Sequence, residues 1–174
     1  VLVGTGQTGL MQGAKYGVAM DAVPPQFCCG ELEGAIVAAS EGEHPDIILI
    51  EGQGALSHPA FCTSAFMLRG SQPDAVILQH APHRAHRCDF PNMPMPTLAS
   101  EIALIEAFAD TKVIGVTLNH EGMSDAEISD AIATDSQKLG LPVTEALSRP
   151  VTHVLAVGVA GDPRFHHGTP WSEP

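Results

Sequence analysis

Four apolar residues, Ile47-Ile48-Leu49-Ile50, stop at a carboxylate, Glu51, and are followed by Gly52-Gln53-Gly54. The run reads as a buried strand, and the glycines let bare backbone amides approach a ligand. In open α/β sheets, ligands sit in the crevice outside the carboxyl ends of the strands. An acid at such an end, with a glycine loop and then Ser57-His58 behind it, points to a working site. The alternative is a buried strand closed by an ordinary glycine turn.

The same grammar recurs along the chain. Residues 1–4 read as a strand emptying into Gly4-Thr5-Gly6-Gln7-Thr8-Gly9, and Val18-Ala19-Met20 leads to Asp21. Residues 27–39 have helical spacing, with Leu32, Ala35, Ile36 and Ala39 on one face. Residues 61–68 suggest a short helix, and 74–80 and 112–119 read as two further strands. Between them, 81–97 carries Pro82, Pro91, Pro94 and Pro96, which exclude regular helix and predict a long loop. Leu98, Ile102, Ile105 and Ala109 mark the buried stripe of another helix. Ser124 with Glu127 forms a capping-box pattern opening a helix to Leu139, which Gly140 and Pro142 end. Alternating helices and apolar strands predict an α/β fold, a mostly parallel sheet covered by helices on both faces. One domain over 1–150 is expected, with an uncertain strand at 151–159 and a disordered tail to Pro174.

Composition narrows the partners. Eight Lys and Arg stand against 20 Asp and Glu, a formal charge of -12. That balance argues against nucleic acid, which needs a basic face, and against anionic membranes. The one small basic cluster is Arg84 and Arg87 with His80, His83 and His86. Cys28, Cys29, Cys62 and Cys88 match no disulfide framework and no paired zinc pattern. With no visible signal segment and no apolar run approaching the ~20 residues that span a bilayer, the cytoplasm is the default location. Val1 opens the sequence inside an apolar run, which reads as the interior of a longer protein.

Glu51 is the first catalytic candidate, as a general base or as a carboxylate for Mg²⁺; its alternative role is to cap nearby amides. The amides of Gly52, Gln53 and Gly54 are candidate donors to an oxyanion or phosphate. Asp21 is expected in the same crevice, as is the loop carrying Gly6, Gln7 and Thr8. That loop is not a self-contained phosphate loop, because Leu10 rather than lysine follows Gly9. Gly4, Gly6 and Gly9 match a dinucleotide fingerprint literally. A helix should then open there, and Gly13, Gly17 and Asp21 favour an extended segment instead. His58 is a second catalytic candidate; no serine nucleophile is assigned, since adjacency to Ser57 does not supply a relay geometry. His80, His83, His86 and Cys88 could be metal ligands, but Pro82 breaks the spacing. An anion-contacting loop with His80, His83 and Arg84 is preferred.

Taken together, Thr5-Gly6-Gln7-Thr8-Gly9, Gly17 to Val23, Glu51 to Ala60 and Gln72 to Leu78, with His80, Pro82 and Arg84, resemble the DgcN family. The resemblance covers about residues 2–148 and implies a P-loop NTPase-like three-layer sandwich related to dethiobiotin synthetase. In that relative, a glutamate in a similar strand-end motif helps hold Mg²⁺, which implies the same position for Glu51. Some members of the family are D-glutamate N-acetyltransferases, so the resemblance implies acetyl-CoA as donor and D-glutamate, or a similar small molecule, as substrate. Family members also carry an N-terminal domain and a phosphate loop ahead of the Gly-Gln-Thr-Gly segment. The expectation is therefore a fold lacking its first strand and phosphate loop, inactive in isolation. Two other readings stay open: an ATP- and Mg-dependent ligase or carboxylase, and a nucleotide-binding module without turnover. Assembly into a homo-oligomer also stays open.

Overall fold

A computed structural model describes residues 1–149; the strand and tail expected beyond Pro150 lie outside the described residues. The chain divides into two compact units, one spanning Val1–Pro73 and the other beginning at Asp74. Each is an α/β arrangement with parallel strands, the class the sequence predicts.

In the first unit, strand β1 (Leu2–Gly4) is flanked in parallel by β2 (Tyr16–Gly17) and β3 (Leu49–Ile50). Helix α1 (Gln7–Met11) joins β1 to β2, and α2 (Cys28–Glu43) joins β2 to β3 after a 3₁₀ turn at Met20–Ala22. Val3, Met20, Cys28, Leu32 and Ala39 form the core, with Ile48, Ile50 and Phe66 packed against it. The helical stripe read from spacing is thus the buried face of α2. Helix α3 (Thr63–Ser71) lies so close to α2 that a Cβ on Gly70 would sit 2.8 Å from the Cys29 carbonyl oxygen.

Two expectations are corrected in this unit. A five-residue helix opens directly after Gly6, and the extended segment predicted there comes later, as β2. The expected buried strand at 46–51 is two residues long and one-sided. Ile47 and Leu49 are 39% and 54% exposed, while Ile48 and Ile50 turn to the core. Among the described strands of this unit, β3 pairs only with β1, so its side chains obey the two-residue alternation of an edge.

The second unit has β4 (Ala75–His80), β7 (Lys112–Leu118) and β8 (Val143–Glu145) in parallel, with β7 central. Helix α4 (Leu98–Phe108) precedes β7, and α5 (Asp125–Leu139) links it to β8. Leu98, Val116, Leu118 and Val143 form its core with Leu78, Ala131, Ile132 and Leu139. Ser124 and Glu127 make the reciprocal capping box, and Gly140 closes α5 at φ 66°. The proline-rich stretch is not a bare loop. It holds an antiparallel hairpin of β5 (His86–Arg87) and β6 (Phe90–Pro94) around Asp89 at φ 62°. Prolines are tolerated because a two-stranded ribbon is all edge. Strand β8 was not anticipated; three residues after Pro142 are too few to show a period.

Gly17 faces Gly4 across the β1–β2 pair at φ 152°, and a Cβ there would fall 2.8 Å from Gly4 N and nearer still to its carbonyl oxygen. Gly17→Ala is expected to cost about 2–3 kcal/mol, read as a lower urea midpoint. Gly30→Ala on α2, where a Cβ meets nothing within 4 Å, should leave the midpoint unchanged or raised.

Candidate functional site

In the first unit, the ends of β1 and β3 are joined by one side chain. Glu51 Oε2 accepts the backbone N–H of Thr5 at 2.8 Å and of Gly6 at 3.2 Å. The Thr5 hydroxyl donates to the Glu51 carbonyl at 3.0 Å and accepts from Gln53 Nε2 at 2.6 Å. Thr63 Oγ1 in turn donates to Gln53 Oε1 at 3.3 Å. These bonds fix the backbone that leads into α1. Its N-cap residue, Gly6, has no capping side chain, and the amides that Glu51 takes are those of Gly6 and of Thr5 just before the helix. Sequence spacing could not show that contact. Gly9 completes it, since a Cβ there would lie 2.9 Å from Glu51 Cδ.

Of the predicted site residues in this unit, Gly6, Glu51 and Gln53 are brought together, with Gly6 at the contact between the two side chains. Gln7 and Thr8 are exposed on α1. Asp21 is exposed in the 3₁₀ turn, which is tied to β1 by the Met20 N–H donating to the Thr5 carbonyl at 3.0 Å. Gly52 and Gly54 are exposed, and the Gly54 carbonyl accepts the Ser64 hydroxyl. His58 is buried. Its Nδ1 accepts the Ala60 N–H at 3.2 Å and its ring stacks on Phe61 at 4.3 Å, so it packs the loop. Glu51 is one carboxylate with one oxygen already shared by two amides. Magnesium is commonly held by one or two carboxylates with phosphates and waters; Glu51 could give it one oxygen, and the other ligands would have to come from outside this set of residues. Among the described residues, no three His, Cys, Asp or Glu side chains gather in metal-binding geometry, and His80, His83, His86 and Cys88 form no such cluster.

In the second unit, a polar cluster occupies the carboxyl ends of β4, β7 and β8. His80 ends β4, and its carbonyl accepts the Asn119 N–H at 2.7 Å. Burial holds the His80 pKa below the usual histidine value, with Asp135 opposing, which favours the neutral ring. Arg84 donates from Nε and Nη2 to Glu121 Oε2, at 2.8 and 2.6 Å. His83 Nε2 lies 3.9 Å from Glu127. His120 Nδ1 lies 2.9 Å from Glu145 Oε1.

Glu145 is fully buried. Burial alone would raise its pKa, yet the Ser148 hydroxyl, the amides of Leu147 and Ser148, and His120 together hold it at about 2. His80 and Arg84 were legible in the sequence; His120, Glu121 and Glu145 were missed. The rule applied at Glu51 would have found the first two, because Asn119-His120-Glu121 directly follows an apolar strand. Glu145 required β8 to be recognised.

Residues 1–155 match a family described as a domain of unknown function, DUF1611_C, P-loop domain. A D-glutamate N-acetyltransferase of Pseudoalteromonas sp. is 36% identical over 158 residues, 87% of this chain and 46% of that protein. One of Tritonibacter scottomollicae is 33% identical over 147 residues, 81% of this chain and 43% of that protein. The crystal structure of a DUF1611 family protein from Anabaena variabilis superposes with a TM-score of 0.84 at 34% identity, covering 93% of this chain and 48% of that one. The chain therefore spans about half the length of the curated relatives it matches.

Glu145 makes stability depend on acid. Its folded pKa lies below the usual glutamate value of 4.5, so the unfolded state binds the proton more readily. The stabilisation is fully present above about pH 5 and is lost as pH falls towards 2, on the order of 3 kcal/mol in all. Urea titrations between pH 6 and pH 2 should show this loss, and Glu145→Gln should flatten it.

Proposed function

The chain belongs to the DUF1611_C P-loop domain family, and from that membership we propose that it is part of an N-acetyltransferase acting on D-glutamate with acetyl-CoA as donor. The observation carrying this reading is identity of 36% and 33%, over more than four fifths of the chain, to two proteins bearing that name. Because the chain matches less than half of each, the reaction is proposed for the whole protein.

The chemistry asks for three things: a neutral amine, donors for the oxyanion of the tetrahedral intermediate, and cations for two substrate carboxylates. Arg84 suits the last task. Its guanidinium is half-exposed and already geared to a carboxylate, that of Glu121, and a substrate carboxylate can take the same fork. His80 ends β4, the strand that leads into the turn carrying Arg84, as a polar contact. In the first unit, Glu51 is fixed by two amides beside the Gly52–Gly54 loop, whose backbone amides are assigned to oxyanion or phosphate. Free cysteines and a substrate pair of acetyl-CoA and an amino acid suit the cytoplasm; among the described residues no helix is long and apolar enough to cross a membrane.

The full-length protein should release free thiol from acetyl-CoA when D-glutamate is added, and should bind both in calorimetry. Binding of ATP without acetyl-CoA would overturn the assignment in favour of a ligase or carboxylase, a reading the P-loop description also accommodates. Arg84→Ala is expected to raise KM for D-glutamate by about 10- to 100-fold, the worth of a charged hydrogen-bonded pair. Glu51→Gln should reduce acetyl transfer, and unchanged transfer would remove Glu51 from the chemistry.

A further inference from the structure

We infer that His120 is the general base that takes the proton from the acceptor amine, with Glu145 as its positioning residue. This rests on the acetyl-transfer reading and adds to it a group the sequence did not reveal.

A carboxylate with no solvent exposure is costly unless every lone pair is engaged. Glu145 meets that demand with the amides of Leu147 and Ser148, the Ser148 hydroxyl and, from another element, His120 Nδ1 at 2.9 Å. Three of these donors come from the turn after β8, and the fourth, His120, arrives from the segment after β7. An ionised carboxylate only accepts hydrogen bonds. The His120 proton therefore sits on Nδ1, and in the neutral ring Nε2 keeps its lone pair. The His120 side chain is 39% exposed while its partner is wholly buried. The ring is thus anchored on its Nδ1 edge and accessible elsewhere. This is the orienter-and-base logic of nucleophile activation, applied here to a substrate amine.

The adjacent residue, Glu121, holds the Arg84 guanidinium, and a substrate carboxylate would bind there by taking Glu121's place. Asn119 is fixed by its N–H to the His80 carbonyl and accepts the Glu121 N–H on Oδ1 at 3.0 Å, which holds the backbone on both sides of His120.

The step balances without a further reactant. The substrate ammonium loses one proton to become the amine, and the amine nitrogen attacks the thioester carbonyl as His120 Nε2 takes a second proton. The C–N bond forms, the tetrahedral intermediate collapses, and the C–S bond breaks with its electron pair leaving on sulfur. His120 returns its proton to the thiolate, and the first proton goes to solvent.

The test uses the full-length protein with acetyl-CoA and D-glutamate. His120→Gln should lower kcat by about 100-fold or more, the usual scale for a general base, with KM for D-glutamate within about threefold. His120→Ala should be partly restored by added imidazole, which a folding defect would not be. Glu145→Gln should lower kcat and move the ring proton from Nδ1, read from ¹⁵N shifts of His120. An inactive wild type would overturn the acetylation reading and the role of His120 with it. An active wild type whose His120→Gln turns over within twofold of it would overturn the base alone.

Discussion

The first unit depends on one carboxylate accepting two amides. Glu51 Oε2 takes the N–H groups of Thr5 and Gly6, and three consequences follow from that placement. The amides of Thr5 and Gly6, which lead into α1, gain an acceptor. The carboxyl ends of β1 and β3 are held together beyond the reach of their short ladder. The loop after Glu51 is oriented by Gln53, which reads the Thr5 hydroxyl. Two strands of three and two residues would pair weakly by themselves. The side-chain network continues the contact past the last ladder bond.

The second unit solves a similar problem with the acid turned inward. Glu145 ends β8 as Glu51 follows β3, but it is fully enclosed and its donors come mainly from the three residues after it. Both acids illustrate one rule of parallel sheets. The carboxyl ends of strands are where polar side chains and irregular backbone meet, so buried charge can be satisfied there without interrupting a ladder.

Long elements were legible because their signals are repeated. The stripe of α2, the capping box of α5 and the apolar run of β7 each rest on several residues agreeing. Short elements were not. Helix α1 has five residues and is preceded by a contact 45 positions away; β8 has three residues, fewer than its period needs. The candidate residues divide in the same way. Glu51 and Arg84 stand out by type and local setting, whereas His120 is tied to a partner 25 residues further on. A pair separated like that leaves no trace in the spacing of either member. His58 shows the converse, a residue suggestive in the sequence whose ring and Nδ1 are engaged in packing its own loop.

The space a side chain would need at position 9 is already filled by the Glu51 carboxyl group. The two positions therefore behave as a single steric site with one side chain between them. A methyl group at Gly9 demands that the acid withdraw, and Glu51→Asp withdraws it by one methylene. Gly9→Ala and Glu51→Asp should accordingly compensate each other in packing while giving up the reach to the Thr5 and Gly6 amides. In this chain the absence of a side chain at residue 9 is what lets the Glu51 carboxyl group lie against the Thr5 and Gly6 amides.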